Sequence, residues 1–263
     1  MGADHLSRIL ERKARECERR RRHLSLFDPA ASAGAEDDRG PAVLEALRRT
    51  SRLRVIAEVK FRSPSEGTIR PWRPGEGLAV ARGYVEGGAS AISVLCDRAG
   101  FGGSVLELRR VARAVSVPVL FKEFVLEPIQ IELARTAGAS MVLLLVRALD
   151  DATLGALVDR CRARGLEPVV EAADEAEVER ALATRARVIG VNARDLSSFR
   201  VDAALAGRAI QKIPRDRVAV YMSGVSSRDE LERVAGGRAD AVLIGSGLMR
   251  APDPGRKLAE LLA

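Results

Sequence analysis

The chain has 263 residues, 47% of them hydrophobic, with a formal net charge of +7 and three cysteines, Cys17, Cys96 and Cys161, that share no paired spacing. This size and apolar content suit one core of barrel dimensions, and the cysteine usage argues against a disulfide-stapled secreted fold. No apolar run approaches the roughly 20 residues of a spanning helix, and the start MGADHLSRIL lacks a signal core, so a reduced, cytoplasmic protein is expected.

Residues 1–50 read as a charged helix, a polar linker from Ala31 to Pro41, and a second helix from Pro41 to Arg49 with proline at its start. They form an N-terminal helical extension to a core over residues 51–263. The first helix contains the run Arg19 to Arg22, which together with a pI near 9.9 raises the question of nucleic acid. Aromatic residues are scarce for base stacking, and Glu11, Glu16 and Glu18 interleave with the arginines as on a solvated helix face. No nucleic acid or membrane partner is therefore expected. The positive field suits steering of a small anionic substrate. Oligomeric state is not encoded in any pattern of this chain.

From residue 54 onward, eight apolar, β-branched runs predict strands: Arg54 to Lys60, Ala91 to Leu95, Val117 to Lys122, Met141 to Val146, Pro168 to Glu171, Val188 to Asn192, Val218 to Ser223 and Ala241 to Gly245. Helical patterns lie between them, at Leu106 to Ala114, Pro128 to Ala137, Ala152 to Arg164, Ala176 to Ala183 and Arg228 to Ala235. Repeated βα units suit either an open doubly wound sheet or a closed (β/α)8 TIM barrel. Eight strands with polar termini throughout favour closure.

In a barrel, residues at the C-terminal ends of different strands converge on one mouth. Here those ends carry Lys60, Lys122, Glu171, Asn192, Ser223 and Gly245. Only five of 43 basic residues are lysines, and two of the five stand at strand ends, where an ammonium suits proton transfer better than a permanently charged guanidinium. Both histidines, His5 and His23, precede the barrel, so no imidazole base, triad or His-containing metal cluster can be assembled from the strand ends, and acid and base work falls to Lys, Glu and Asp.

Glu58 and Lys60 are two residues apart and share one face of the first strand, either as a tuned acid over a substrate or as a buried ion pair. The loop after them, with Ser63, Pro64 and Ser65, can arch over a ligand. Ser223-Gly224 and Gly245-Ser246-Gly247 follow the last two strands, where barrels frequently bind phosphate, although tight βα turns use the same residues. Arg194 can add charge to that site or cap a helix. Phe61, Phe101, Phe121 and Phe124 lie in or beside mouth loops, where an aromatic substrate would pack; Phe121, next to Lys122, should face the core instead.

The sequence resembles the indole-3-glycerol phosphate synthase family over nearly its whole length. The likeness rests on Ala57-Glu58-Val59-Lys60 with Ser63-Pro64-Ser65, on Ser93-Val94-Leu95 and Phe101-Gly102-Gly103-Ser104, and on Pro118-Val119-Leu120-Phe121-Lys122-Glu123-Phe124. It continues through Gly190-Val191-Asn192-Ala193-Arg194-Asp195-Leu196, Ser223-Gly224-Val225 and Leu243-Ile244-Gly245-Ser246. The resemblance implies a TIM barrel that closes an indole ring on an anthranilate-derived aminodeoxyribulose 5-phosphate, with decarboxylation and dehydration and without metal or organic cofactor. It implies Lys122 as the general acid, Lys60 on the anthranilate carboxylate, and Glu171 as base or charge stabiliser. Glu58 would hold the lysines in register and Asn192 would bind a sugar hydroxyl or water. Ser63, Phe124, Arg194 and Ser223 would contact substrate, and Gly224, Gly245 and Ser246 its phosphate.

Four positions depart from the family pattern. Met222 stands before Ser223 where a substrate-reaching glutamate is usual, Glu123 replaces an aspartate, Ala172-Ala173 follows Glu171 in place of a polar pair, and Cys96-Asp97 replaces Thr-Glu. Met222 is the consequential one, because a thioether neither balances an ammonium nor accepts a strong hydrogen bond.

Overall fold

A computed structural model describes residues 5–23, 38–195 and 200–263. Leu196 and the linker residues 31–37, both named above, lie outside them. Eight parallel strands form the centre: β1 (Arg54–Val59), β2 (Ala91–Leu95), β3 (Val119–Lys122), β4 (Met141–Leu145), β5 (Glu167–Ala172), β6 (Val188–Asn192), β7 (Val218–Met222) and β8 (Ala241–Ile244). Each pairs with the next, and β1 pairs with β8, so the sheet is a closed barrel. The expected fold is therefore present.

The helices in chain order are α1 (His5–His23), α2 (Gly40–Leu47), α3 (Glu76–Glu86), α4 (Arg98–Phe101), α5 (Val105–Ala112) and α6 (Pro128–Ala137). They continue with α7 (Asp151–Ala163), α8 (Glu175–Leu182), α9 (Ala203–Gln211), α10 (Arg228–Ala235), α11 (Ser246–Met249) and α12 (Pro254–Leu262). Most helix starts are capped by a side-chain oxygen, as at Ser104, Asp150, Asp174, Asp202, Ser227 and Asp253.

Alternation along the strands divides the core in two. One set of side chains, including Ile56, Leu120, Leu143, Val169, Val188, Val220 and Leu243, fills the barrel interior. The other set, including Val55, Ala57, Val94, Phe121, Val142 and Ile189, packs outward against the helices. Because the period is two, Glu58, Lys60 and Lys122 inherit the interior face and emerge at its upper end.

The two N-terminal helices close opposite ends. Val43 and Leu47 of α2 are fully buried in the interior cluster. The Arg39 N–H before α2 donates to Gly165 O at the foot of β5, so this helix plugs the barrel floor. Leu6 and Ile9 of α1 join the same cluster beside Phe124, at the rim of the mouth.

Several strands end one residue earlier than the apolar runs suggest. Lys60, Ser223 and Gly245 lie just past their strands, and Val146 opens a 3-10 turn, Val146–Ala148. At Ser223 the reason is conformational: its φ of +68° is incompatible with a continuing strand. The third strand begins at Val119, after Pro118, and the fifth extends back to Glu167, whose buried carboxylate pairs with Arg187.

Candidate active site

A cleft opens at the C-terminal ends of the strands, lined by polar side chains and a few apolar ones. Glu58, Lys60, Ser63, Lys122, Phe124, Glu171, Asn192, Arg194, Ser223 and Ser246 all line it. Residues scattered across the chain thus converge on one mouth. Gly224 and Gly245 adjoin it without contributing to its wall.

Two ammonium–carboxylate pairs form its polar centre. Lys60 Nζ lies 3.2 Å from Glu58 Oε1, and Ser93 Oγ donates to the other Glu58 oxygen at 3.1 Å. Lys122 Nζ donates to Glu171 Oε2 at 3.1 Å, and Asn192 Nδ2 donates to Glu171 Oε1 at 2.8 Å. Asn192 is oriented in turn, because its Oδ1 accepts the Arg194 N–H at 3.0 Å. Both Glu171 oxygens are therefore engaged, and the Lys122–Glu171–Asn192 series is fixed by hydrogen bonds rather than by packing alone.

The charge states follow from these contacts. Burial alone would lower the Lys122 pKa, but the Glu171 and Glu58 carboxylates reverse that and hold it above the ordinary lysine value. Burial would raise Glu58, yet Lys60 and then Lys122 outweigh it and keep this carboxyl below its usual range. At neutral pH the mouth thus offers protonated Lys122 facing ionised Glu58.

Gly245 explains how the first pair fits. A side chain there would place its Cβ 2.7 Å from Glu58 Oε1 and 3.1 Å from Lys60 Nζ, so glycine leaves the room these groups occupy. Gly190 plays the same part for Met222, whose thioether end fills the space a Cβ at 190 would need. Met222 is 1% exposed and belongs to the apolar floor beneath the cleft, cross-strand from Asn192.

Of the four phenylalanines near the mouth, Phe101 and Phe124 line the cleft, with ring centroids 6.1 Å apart and planes tilted by 41°. Phe121 packs outward as expected, and so does Phe61, which is buried against the helices. Phe61 follows Lys60 directly and so faces the opposite side of the chain.

Glu66 was not among the residues singled out from the sequence. Its carboxylate accepts Ser246 Oγ at 2.6 Å and stands 3.7 Å from Arg194 Nη2 and 3.6 Å from Arg250 Nη2. A carboxylate from the first loop thus reaches the residues after β8. Its signal was an acidic residue inside the Ser-Pro-Ser-Glu-Gly turn, where the neighbouring serines drew attention instead.

A family model described as indole-3-glycerol phosphate synthase matches residues 6–261. An indole-3-glycerol phosphate synthase from Opitutus terrae is 41% identical, the match covering 99% of each chain. One from Mycobacterium leprae is 43% identical over 91% of this chain and 86% of its own. Among solved structures, a 3-hexulose-6-phosphate synthase superposes with a TM-score of 0.65 at 17% identity, covering 80% of this chain and all of its own, which bears on fold alone. The match spans the barrel and the first helix together, and by it the chain belongs to the indole-3-glycerol phosphate synthase family.

Proposed function

We propose that this mouth closes the indole ring of 1-(2-carboxyphenylamino)-1-deoxyribulose 5-phosphate with loss of CO2 and water, as a carbon–carbon lyase. The aryl carbon bearing the carboxylate attacks the ribulose carbonyl carbon, and Lys122 donates its proton to the carbonyl oxygen as the C–C bond forms. Loss of the carboxylate as CO2 restores the electron pair to the ring system. The former carbonyl oxygen then leaves as water after a second protonation, and a base removes the remaining ring proton.

The single observation that carries this assignment is the bonded series Lys122–Glu171–Asn192, which sets a proton donor beside a carboxylate able to take a proton back. Lys60, held by Glu58, binds the anthranilate carboxylate until decarboxylation. Preorganised charge of this kind stabilises the developing alkoxide more than water would. Phe124 supports the aryl ring and Ser63 covers the substrate from the first loop. Ser223, Arg194 and the backbone of Gly224, Gly245 and Ser246 take the phosphate.

In this reading residues 51–263 form the catalytic barrel and residues 1–50 an extension. All three cysteines are free and buried, which supports a reducing, cytoplasmic setting, and no described helix is long and apolar enough to cross a membrane. Turnover is tested by following indole fluorescence with the purified chain. Lys122→Ala should abolish it; persistence of the wild-type rate would remove Lys122 from the acid role.

Met222 favours a second reading, in which the substrate carries a modified aryl group. The floor here is apolar where the family pattern has a carboxylate, so fewer charges face the substrate. Comparing kcat/KM for ring-substituted substrates in the wild type and in Met222→Glu separates the two. A preference for the unsubstituted compound in both proteins would exclude the second.

A further inference from the structure

A buried charge cluster joins α1 to the loops after β2 and β3, and one of its members, Glu123, reaches the wall of the cleft. Lys13 is 2% exposed, and its Nζ lies 2.8 Å from Asp97 Oδ1, 2.9 Å from Glu123 Oε2 and 3.0 Å from Glu16 Oε2. The Asp97 side chain is fully buried and that of Glu123 nearly so. Burying charges at this depth is costly unless they are paired, and here one ammonium pairs with both carboxylates.

Each carboxylate holds one of the two rings that line the cleft. Asp97 caps α4, with Oδ2 accepting the Gly100 N–H at 2.7 Å and its carbonyl accepting the Phe101 and Gly103 N–H groups at 3.3 and 2.8 Å. It thereby shapes the turn that presents Phe101. Glu123 Oε1 accepts the Phe124 N–H at 2.8 Å, while the Phe124 carbonyl accepts Gln130 Nε2 at 2.7 Å. Lys13 bonds both carboxylates at once, and Leu6 and Ile9, on the same helix, pack in one cluster with Phe124 and Phe101.

We infer that Lys13 is a positioning residue for the aryl end of the substrate: by bridging Asp97 and Glu123 it ties two loops together and sets the spacing of the Phe101–Phe124 wall. Without its ammonium, two buried carboxylates are left beside each other, and Arg12, 2.9 Å from Asp97, pairs with one of them. The loops separate and the wall opens. The phosphate end is built on loops after β7 and β8, to which Lys13 makes none of its ion pairs. The inference rests on the reading that these rings hold the aryl group, and it assigns to α1 a part in substrate discrimination.

The test uses the full chain and two probes, anthranilate for the aryl end and inorganic phosphate for the other, each titrated calorimetrically. Lys13→Met should raise the anthranilate Kd by about fivefold or more, while phosphate affinity changes by less than about twofold. KM for the complete substrate should rise by a similar factor with a smaller fall in kcat, and Lys13→Arg should recover part of the loss. Equal weakening of both probes, or no change in either, overturns the inference.

Should Lys13→Met fail to fold, Glu123→Gln keeps an acceptor for the Phe124 N–H and removes only the ion pair. The same split between probes is expected there, and unchanged anthranilate affinity overturns the proposal. Failure of the wild-type chain to bind anthranilate while it binds phosphate overturns the aromatic-wall reading itself, whereas binding that both variants retain overturns only the role of Lys13.

Discussion

Two residues at the mouth carry a local cost, one in backbone conformation and one in charge. Ser223 holds a φ of +68°, a left-handed backbone that costs a non-glycine residue roughly 1–2 kcal/mol. Ser223→Gly should therefore leave stability unchanged or raise it by up to about 1 kcal/mol, the gain being reduced by the greater freedom of glycine in the unfolded chain. If Ser223 contacts substrate, turnover falls in the same variant. Urea melts and kinetics on one preparation decide this, and a loss of stability would show that the hydroxyl is structural. Glu66 presents the other cost, since its carboxylate sits where the proposed phosphate approaches Ser246, Arg194 and Arg250. Glu66→Gln should tighten inorganic phosphate binding by about threefold to tenfold at low salt and less at high salt, because salt screens the attraction of the anion to the site. Weaker phosphate binding in Glu66→Gln would mean that Glu66 orders the site rather than competing for it.

At the scale of elements, strand positions were legible because continuous apolar, β-branched runs mark strands buried on both faces. Glu58, Lys60, Lys122, Glu171 and Asn192 could be assigned to one mouth from their places at strand ends, and the cleft brings them together. What could not be read were contacts between distant parts of the chain. Lys13 looked like one charge among many on a polar helix, because nothing in its local sequence distinguishes a solvated lysine from one buried against Asp97 and Glu123. Met222 and Gly190 form another such pair: the missing Cβ on β6 makes the space that the thioether on β7 fills. Gly190→Ala should force Met222 to withdraw and cost about 1–3 kcal/mol by overpacking. The double variant Gly190→Ala, Met222→Ala should recover much of that loss, and strict additivity of the two single effects would show that they do not share the space. Helices α9 and α12 carry a local signal at their starts, an aspartate whose side chain accepts a backbone N–H of the first turn. Asp202 and Asp253 cap them, and Asp253→Ala should cost about 0.5–2 kcal/mol in a thermal or denaturant melt.

For the whole molecule, the buried carboxylates divide into two groups that respond oppositely to acid. Burial raises Glu123, Glu167 and Glu177 above the ordinary range in spite of their partners Lys13, Arg187 and Arg147. The folded state binds protons at these groups more readily than the unfolded chain, so their unfavourable contribution diminishes as pH falls through their folded pKa values. Glu58 and Asp97 behave in reverse: burial opposes ionisation, but Lys60 and Lys13 respectively keep them below the ordinary range. Their stabilisation is complete above the unfolded values of about 4 and is lost as pH drops through the lower folded values. Lys13 and Lys122 lie above the ordinary lysine value, so what they contribute persists to about pH 10 and disappears only beyond it. The urea midpoint should accordingly rise slightly as pH falls toward the ordinary carboxylate range, fall below about pH 4, and fall again above about pH 10. Glu167→Gln should flatten that rise, because a neutral amide at that site has no proton to gain. A wild-type midpoint that decreases steadily from pH 7 downward would mean that the carboxylates stabilised by lysine, rather than those strained by burial, govern the acid response throughout.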